Sequence, residues 1–96
     1  METLQGEALK NAVKGIDADW AVIPGKGLVR IIETHGFSDG IIMAAAIAEL
    51  ANGVKHHPEL TLKYDQVEIN LFSHDVSGIT ERDVKLAKLL DKLLEE

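Results

Sequence analysis

Two of the four histidines in this 96-residue chain are adjacent, and the pair His56-His57 runs directly into Pro58. A third, His74, closes the stretch Val67 to His74, in which apolar and polar residues alternate. Imidazole is the side chain whose ordinary pKa, about 6.5, suits proton transfer near neutrality. Three converging imidazoles would therefore give one site both an acid and a base. The alternation sends Val67, Ile69 and Leu71 one way and Glu68, Asn70, Phe72 and His74 the other. That strand lies one hairpin from the junction carrying His56 and His57. Neighbouring strands are about 5 Å apart, so His56, His57 and His74 are expected to meet at one sheet edge. Two other readings stand beside this one. A His-His-Pro run between a helix and a strand is also a plain polar turn, with Pro58 stopping the helix. Three histidines are also a zinc ligand set, but adjacent side chains in extended chain point to opposite faces. The helical HExxH spacing is absent as well, and no metal and no cofactor is expected. His35, in the connection "THGF", reads as a turn or surface residue.

The elements that must hold these residues are marked by periodicity and punctuation. Thr3 is placed to cap a first helix carrying Leu9, Ala12, Val13 and Ile16 at helical spacing. Trp20 to Ile23 and Leu28 to Thr34 read as a hairpin around the turn signal Pro24 to Gly27. After "HGFSDG", with Ser38 or Asp39 as cap, an Ala-rich helix is expected from Ile41 to Val54. It is apolar on most sides, which suggests a sheet on one side and another surface on the other. Leu60 to Tyr64 and Val67 to His74 are two further strands. In "TERD", Thr80 and Asp83 form a capping-box-like start for a last helix, whose stripe runs through Val84, Leu86, Ala87, Leu90, Leu93 and Leu94. On that signal Asp83 reads as a cap partner before it reads as a base. The order α-β-β-α-β-β-α predicts an α+β fold, a four-stranded antiparallel sheet covered by helices on one face.

Composition narrows the function. There is no cysteine, which excludes disulfides, thiolate metal sites and thiol catalysis. The formal net charge of −6 argues against direct binding to nucleic acid. "METLQGEALK" lacks the basic and apolar segments of a signal peptide. The longest apolar run, Ile41 to Ala48, ends at Glu49, short of the roughly 20 residues that span a bilayer. The expectation is one domain over residues 1–96, cytoplasmic, with no membrane partner, whose small size favours self-association.

Five residues separate His56-His57-Pro58 from the aromatic Tyr64, nine more lead to His74 and eight more to Asp83. With "VEINLFSHDVSGITERDVKLAKLLDK", these spacings resemble the active-site signature and C-terminal portion of the pterin-4a-carbinolamine dehydratases. The resemblance covers the chain from about Phe37 onward. It implies a tetrahydropterin substrate with a hydroxyl on its ring-fusion carbon, the product left by aromatic amino-acid hydroxylases. Loss of water gives quinonoid dihydropterin in the recycling of tetrahydrobiopterin. It also implies that His56, His57 and His74 are catalytic, that Asn52, Lys55, Phe72, Ser73 and Asp75 line the pterin pocket, and that Pro58, Tyr64 and Asp83 support it. Family members are homodimers or homotetramers, and the same is expected here.

Two positions depart from the family pattern. A carboxylate usually stands four residues before the first histidine, where this chain has Asn52, and Leu60 replaces a common tryptophan. An amide still accepts a hydrogen bond but carries no charge. The expected consequence is lowered rather than abolished activity. The resemblance also carries a non-catalytic alternative. Proteins of this kind serve as dimerisation cofactors of a transcription factor, and relatives act as Rubisco assembly factors.

Overall fold

Val67, Ile69 and Leu71 sit in antiparallel register with Ile32, Arg30 and Leu28, and this period-two stripe makes the inner face of the sheet. The computed structural model describes residues 2–95. It contains α1 (Gly6–Ala12), followed by a 3-10 turn (Val13–Gly15), β1 (Ala21–Ile23), β2 (Gly27–Glu33), α2 (Phe37–Val54), β3 (Glu59–Lys63), β4 (Gln66–Leu71) and α3 (Glu81–Leu94). The four strands form one antiparallel sheet in the order β1-β2-β4-β3. Ile47 of α2 and Leu86, Ala87 and Leu90 of α3 close over Leu28, Val67, Ile69 and Leu71, with Trp20 at the margin. The opposite face presents Ile31, Glu33, Thr61 and Lys63 to solvent. This is the expected α+β arrangement, helices on one face of a four-stranded antiparallel sheet.

Where local signals were strong the elements start as read. Thr80 accepts from the Arg82 backbone N–H at 3.2 Å, and the Asp83 carboxylate accepts from the Thr80 N–H at 2.9 Å, a complete capping box. Three expectations are corrected. Thr3 does not cap α1, which begins at Gly6 behind Gln5. The Leu4 N–H is instead bonded to the Ile79 carbonyl at 2.7 Å, holding this segment out of the helix. Neither Ser38 nor Asp39 caps α2. Gly36, at φ 114°, turns the chain into a helix that starts at Phe37, and Asp39 accepts from the His35 N–H at 3.1 Å from within the first turn. Strand β4 ends at Leu71 rather than His74. Ser73 and Gly78 exchange backbone hydrogen bonds at 2.9 and 3.2 Å, closing a small loop that breaks the alternation.

Helix α2 is longer than its apolar run suggested. Its 18 residues, at mean hydropathy 1.3, are long and apolar enough to cross a membrane by length and composition. Gly40, Ile47 and Ala51 are buried in the fold, while Phe37, Ile41 and Ile42 remain exposed. The far end of α3 is tied down by Asp91. Its Oδ1 accepts from Trp20 Nε1 at 2.6 Å and from Arg30 Nη1 at 2.7 Å, and its Oδ2 accepts from the Asp17 backbone N–H at 2.8 Å. Arg30 is only 11% exposed, so removing Asp91 leaves its charge with Asp17 Oδ2 alone, at 3.8 Å, and strands an indole donor. Asp91→Ala is expected to lower stability by about 2–4 kcal/mol, read from the denaturant midpoint at unchanged slope. A loss under about 0.5 kcal/mol would make this an ordinary surface bridge.

Candidate active site

The helix ends where the histidine pair begins, and its ending aims the first imidazole. Lys55 takes the left-handed conformation at φ 56°, and the N–H groups of Lys55 and His56 return to the carbonyls of Asn52 and Ala51, each at 3.3 Å. Pro58 then rules out further helix. The result places His56 Nε2 at 2.6 Å from Asp83 Oδ1 in the first turn of α3. Asp83 is fully buried. Its other oxygen accepts from Ser73 Oγ at 2.8 Å and from the Thr80 N–H at 2.9 Å. Three donors thus converge on one carboxyl group. Ser73 donates to Asp83, so the 2.8 Å contact between Ser73 Oγ and Thr80 Oγ1 is donated by Thr80. By the same logic His56 carries a proton on Nε2, and in the neutral ring the lone pair is then on Nδ1.

The other two histidines are exposed, each against an oxygen. His57 Nε2 donates to Asn52 Oδ1 at 2.9 Å. His74 Nε2 lies 3.2 Å from Glu59 Oε1, and its ring stands edge-on to Phe72 with centroids 4.9 Å apart. Glu59 opens β3 two residues after His57, so the contact ties His74 to the segment carrying the pair. Asp75 pairs with Arg82 Nη2 at 2.5 Å. The Arg82 guanidinium, mainly through this hydrogen bond, holds the Asp75 carboxyl below the usual carboxylate range.

Not every residue singled out from the sequence belongs to this surface. Ser73 is buried behind the histidines and spends its hydroxyl on Asp83, so it braces the site rather than lining a pocket. Tyr64 lies in the β3–β4 turn, at the opposite end of β3 from His57, and is 78% exposed; the fold does not bring it to the histidines. Asn52, Lys55, Phe72 and Asp75 are at or beside the cluster. Glu59 and Arg82 were missed as partners. Glu59 stood in the quoted run "HHPE", but its tie to His74 depends on a loop closed by tertiary contacts.

An imidazole backed by a buried carboxylate thus stands on an α+β fold, with two exposed imidazoles on the adjoining segments. The chain belongs to the pterin 4 alpha carbinolamine dehydratase family, whose defining pattern matches residues 2–93. It is 39% identical over 71 residues to a candidate pterin-4-alpha-carbinolamine dehydratase of Natronomonas pharaonis, covering 74% of this chain and 77% of that one. A candidate of the same name from Nitrobacter hamburgensis is 33% identical over 93 residues, 96% of this chain and 91% of its own. The crystal structure of a transcriptional coactivator/pterin dehydratase from Brucella melitensis superposes with a TM-score of 0.86 at 26% identity, covering 98% of this chain and 100% of that chain.

Proposed function

We propose that the chain dehydrates 4a-hydroxytetrahydropterin to quinonoid dihydropterin by general acid/base catalysis through His56, His57 and His74. The observation that carries this reading is the His56–Asp83 contact in a chain of this family. The reaction needs an acid for the departing hydroxyl, which leaves as water, and a base for a ring N–H proton, whose loss forms the C=N bond. His56 suits the base. Its Nδ1 carries the lone pair, and the carboxylate behind Nε2 stabilises the imidazolium that proton capture creates. Exposed His57 and His74 suit proton delivery to the hydroxyl, with Phe72 offering a flat apolar surface beside them. Asn52 holds the His57 ring through a neutral oxygen where a carboxylate would hold it through a charged one.

Synthetic carbinolamine, with loss followed against buffer, tests the reading. Wild type is expected to accelerate dehydration clearly. His57→Ala should lose about 10²-fold, the lower end of what a positioned acid or base supplies. Asn52→Glu should gain about fivefold, the equivalent of about 1 kcal/mol. Wild type no faster than buffer would end the enzymatic reading.

A second reading, a binding or assembly protein of the dimerisation-cofactor or Rubisco-assembly kind, draws on the exposed apolar residues Phe37, Ile41 and Ile42 of α2. The same face suits self-association of a cytoplasmic homodimer or homotetramer. A stoichiometric partner whose capture is indifferent to His57→Ala would favour the second reading.

A further inference from the structure

Between the end of α2 and the start of α3 lies a cavity of about 320 Å³. Its polar wall is Lys55, His56, Arg82 and Lys85, with Val54 and Leu86 supplying apolar surface. Three of the ten Lys and Arg residues of a chain with net charge −6 thus surround one small space. Among the described residues, neither Lys55 nor Lys85 has a carboxylate within ion-pair distance. Arg82 gives Nη2 to Asp75, but its Nε–H is buried without a partner.

Two of the carboxylates nearby are already engaged. Asp83 receives three donors, including His56, and Asp75 is held on the outer nitrogen of Arg82. The carbonyls of Ala51 and Asn52, at the negative end of α2, are taken by the N–H groups of Lys55 and His56. The side chains that line the cavity include three cations and no carboxylate. The volume is at the low end for small-molecule sites, enough for an anionic group on a short arm.

We propose that this cavity binds a phosphate or carboxylate group. Because His56 belongs both to the cavity wall and to the histidine cluster, the group that fits best is an anionic arm on the substrate itself. That last step rests on the dehydratase reading, whereas anion binding does not.

The probe is inorganic phosphate, titrated against the full chain at constant ionic strength and followed by amide and imidazole resonances. Saturable shifts at Lys55, His56, Arg82 and Lys85 are expected. Lys55→Gln/Lys85→Gln should weaken binding by about tenfold or more, and Lys85→Gln alone serves if the double variant melts early. Shifts no larger than those from chloride, or an unchanged titration in a folded variant, would overturn the site. A second arm compares carbinolamines with and without a side-chain phosphate. Competition by inorganic phosphate, with a KM advantage for the phosphorylated substrate that Lys85→Gln removes, assigns the site to a substrate arm. Phosphate binding without competition assigns it to a free anion. The first arm reads binding without turnover, so its failure is separate from any failure of the dehydratase reading.

Discussion

Asp83→Asn is expected to lower the dehydration rate by about 10²–10⁴-fold, the range that one positioned acid or base contributes. The substitution keeps the shape of the side chain and changes one oxygen into an NH₂ group. All three neighbours that meet this carboxyl group are donors: His56 Nε2, Ser73 Oγ and the Thr80 N–H. If the amide nitrogen faces His56, the imidazole must accept at Nε2 and move its proton to Nδ1, where the proposed base needs its lone pair. If it faces Thr80 instead, a donor opposes the cap N–H, and α3 loses about 1 kcal/mol at its start. Both outcomes are measurable. Imidazole ¹⁵N shifts report the tautomer of His56, and the carbinolamine assay reports the rate. A variant that turns over like wild type would remove Asp83 from the mechanism and leave it as a helix cap alone. Ser73→Ala, which deletes one of the three donors but leaves the carboxylate, should fall between the two.

Gly27→Ala is expected to destabilise the chain by about 2–6 kcal/mol, from backbone strain and overpacking of about 1–3 kcal/mol each. Gly27 holds φ 116°, and a Cβ there would run into the Leu71 carbonyl oxygen and lie 3.1 Å from Phe72 Cβ. The first obstacle is main chain of the neighbouring strand, which no rotamer change can clear. For a domain of this size the loss corresponds to a melting point lower by about 10 °C or more. The effect reaches the site, because Leu71 and Phe72 lead straight into Ser73 and His74. Gly53→Ala is the control. It lies in α2, a Cβ there meets nothing within 4 Å, and the helix should gain about 0.5–1 kcal/mol. If Gly27→Ala melts with the wild type, the close passage of β2 past the end of β4 is not the constraint described.

How far such features could be read in advance depends on how local their causes are. The capping box at Thr80 and Asp83 was legible because four consecutive residues contain it. The pairing of Leu60 to Tyr64 with Val67 to His74 was legible because a tight turn joins them. Thr3 looked like a cap for the same local reasons, but the bond from Leu4 to the Ile79 carbonyl, far along the chain, overrode them. The alternation through Val67, Ile69 and Leu71 was read correctly and then carried too far. A period-two pattern does not reveal that Ser73 turns back to Gly78. Ser73 and Tyr64 entered through the resemblance alone; in the fold Ser73 is buried against Asp83, and Tyr64 stands at the end of its strand away from His57.

By itself, the sequence determined the order of elements, the sheet with helices on one face, the family, and the residues that deserve testing. The elements follow from spacing along the chain, which hydrophobic periodicity and caps record directly, and the family from the resemblance of its motifs. Only the tertiary structure decided what the residues touch. His56 and Asp83 are 27 positions apart, yet their side chains are 2.6 Å apart because α2 ends in a left-handed turn against the first turn of α3. From the sequence Asp83 reads as a cap partner before a base, and in the fold it both caps a helix and meets a histidine. A carboxylate has two oxygens, and in the folded chain one does each.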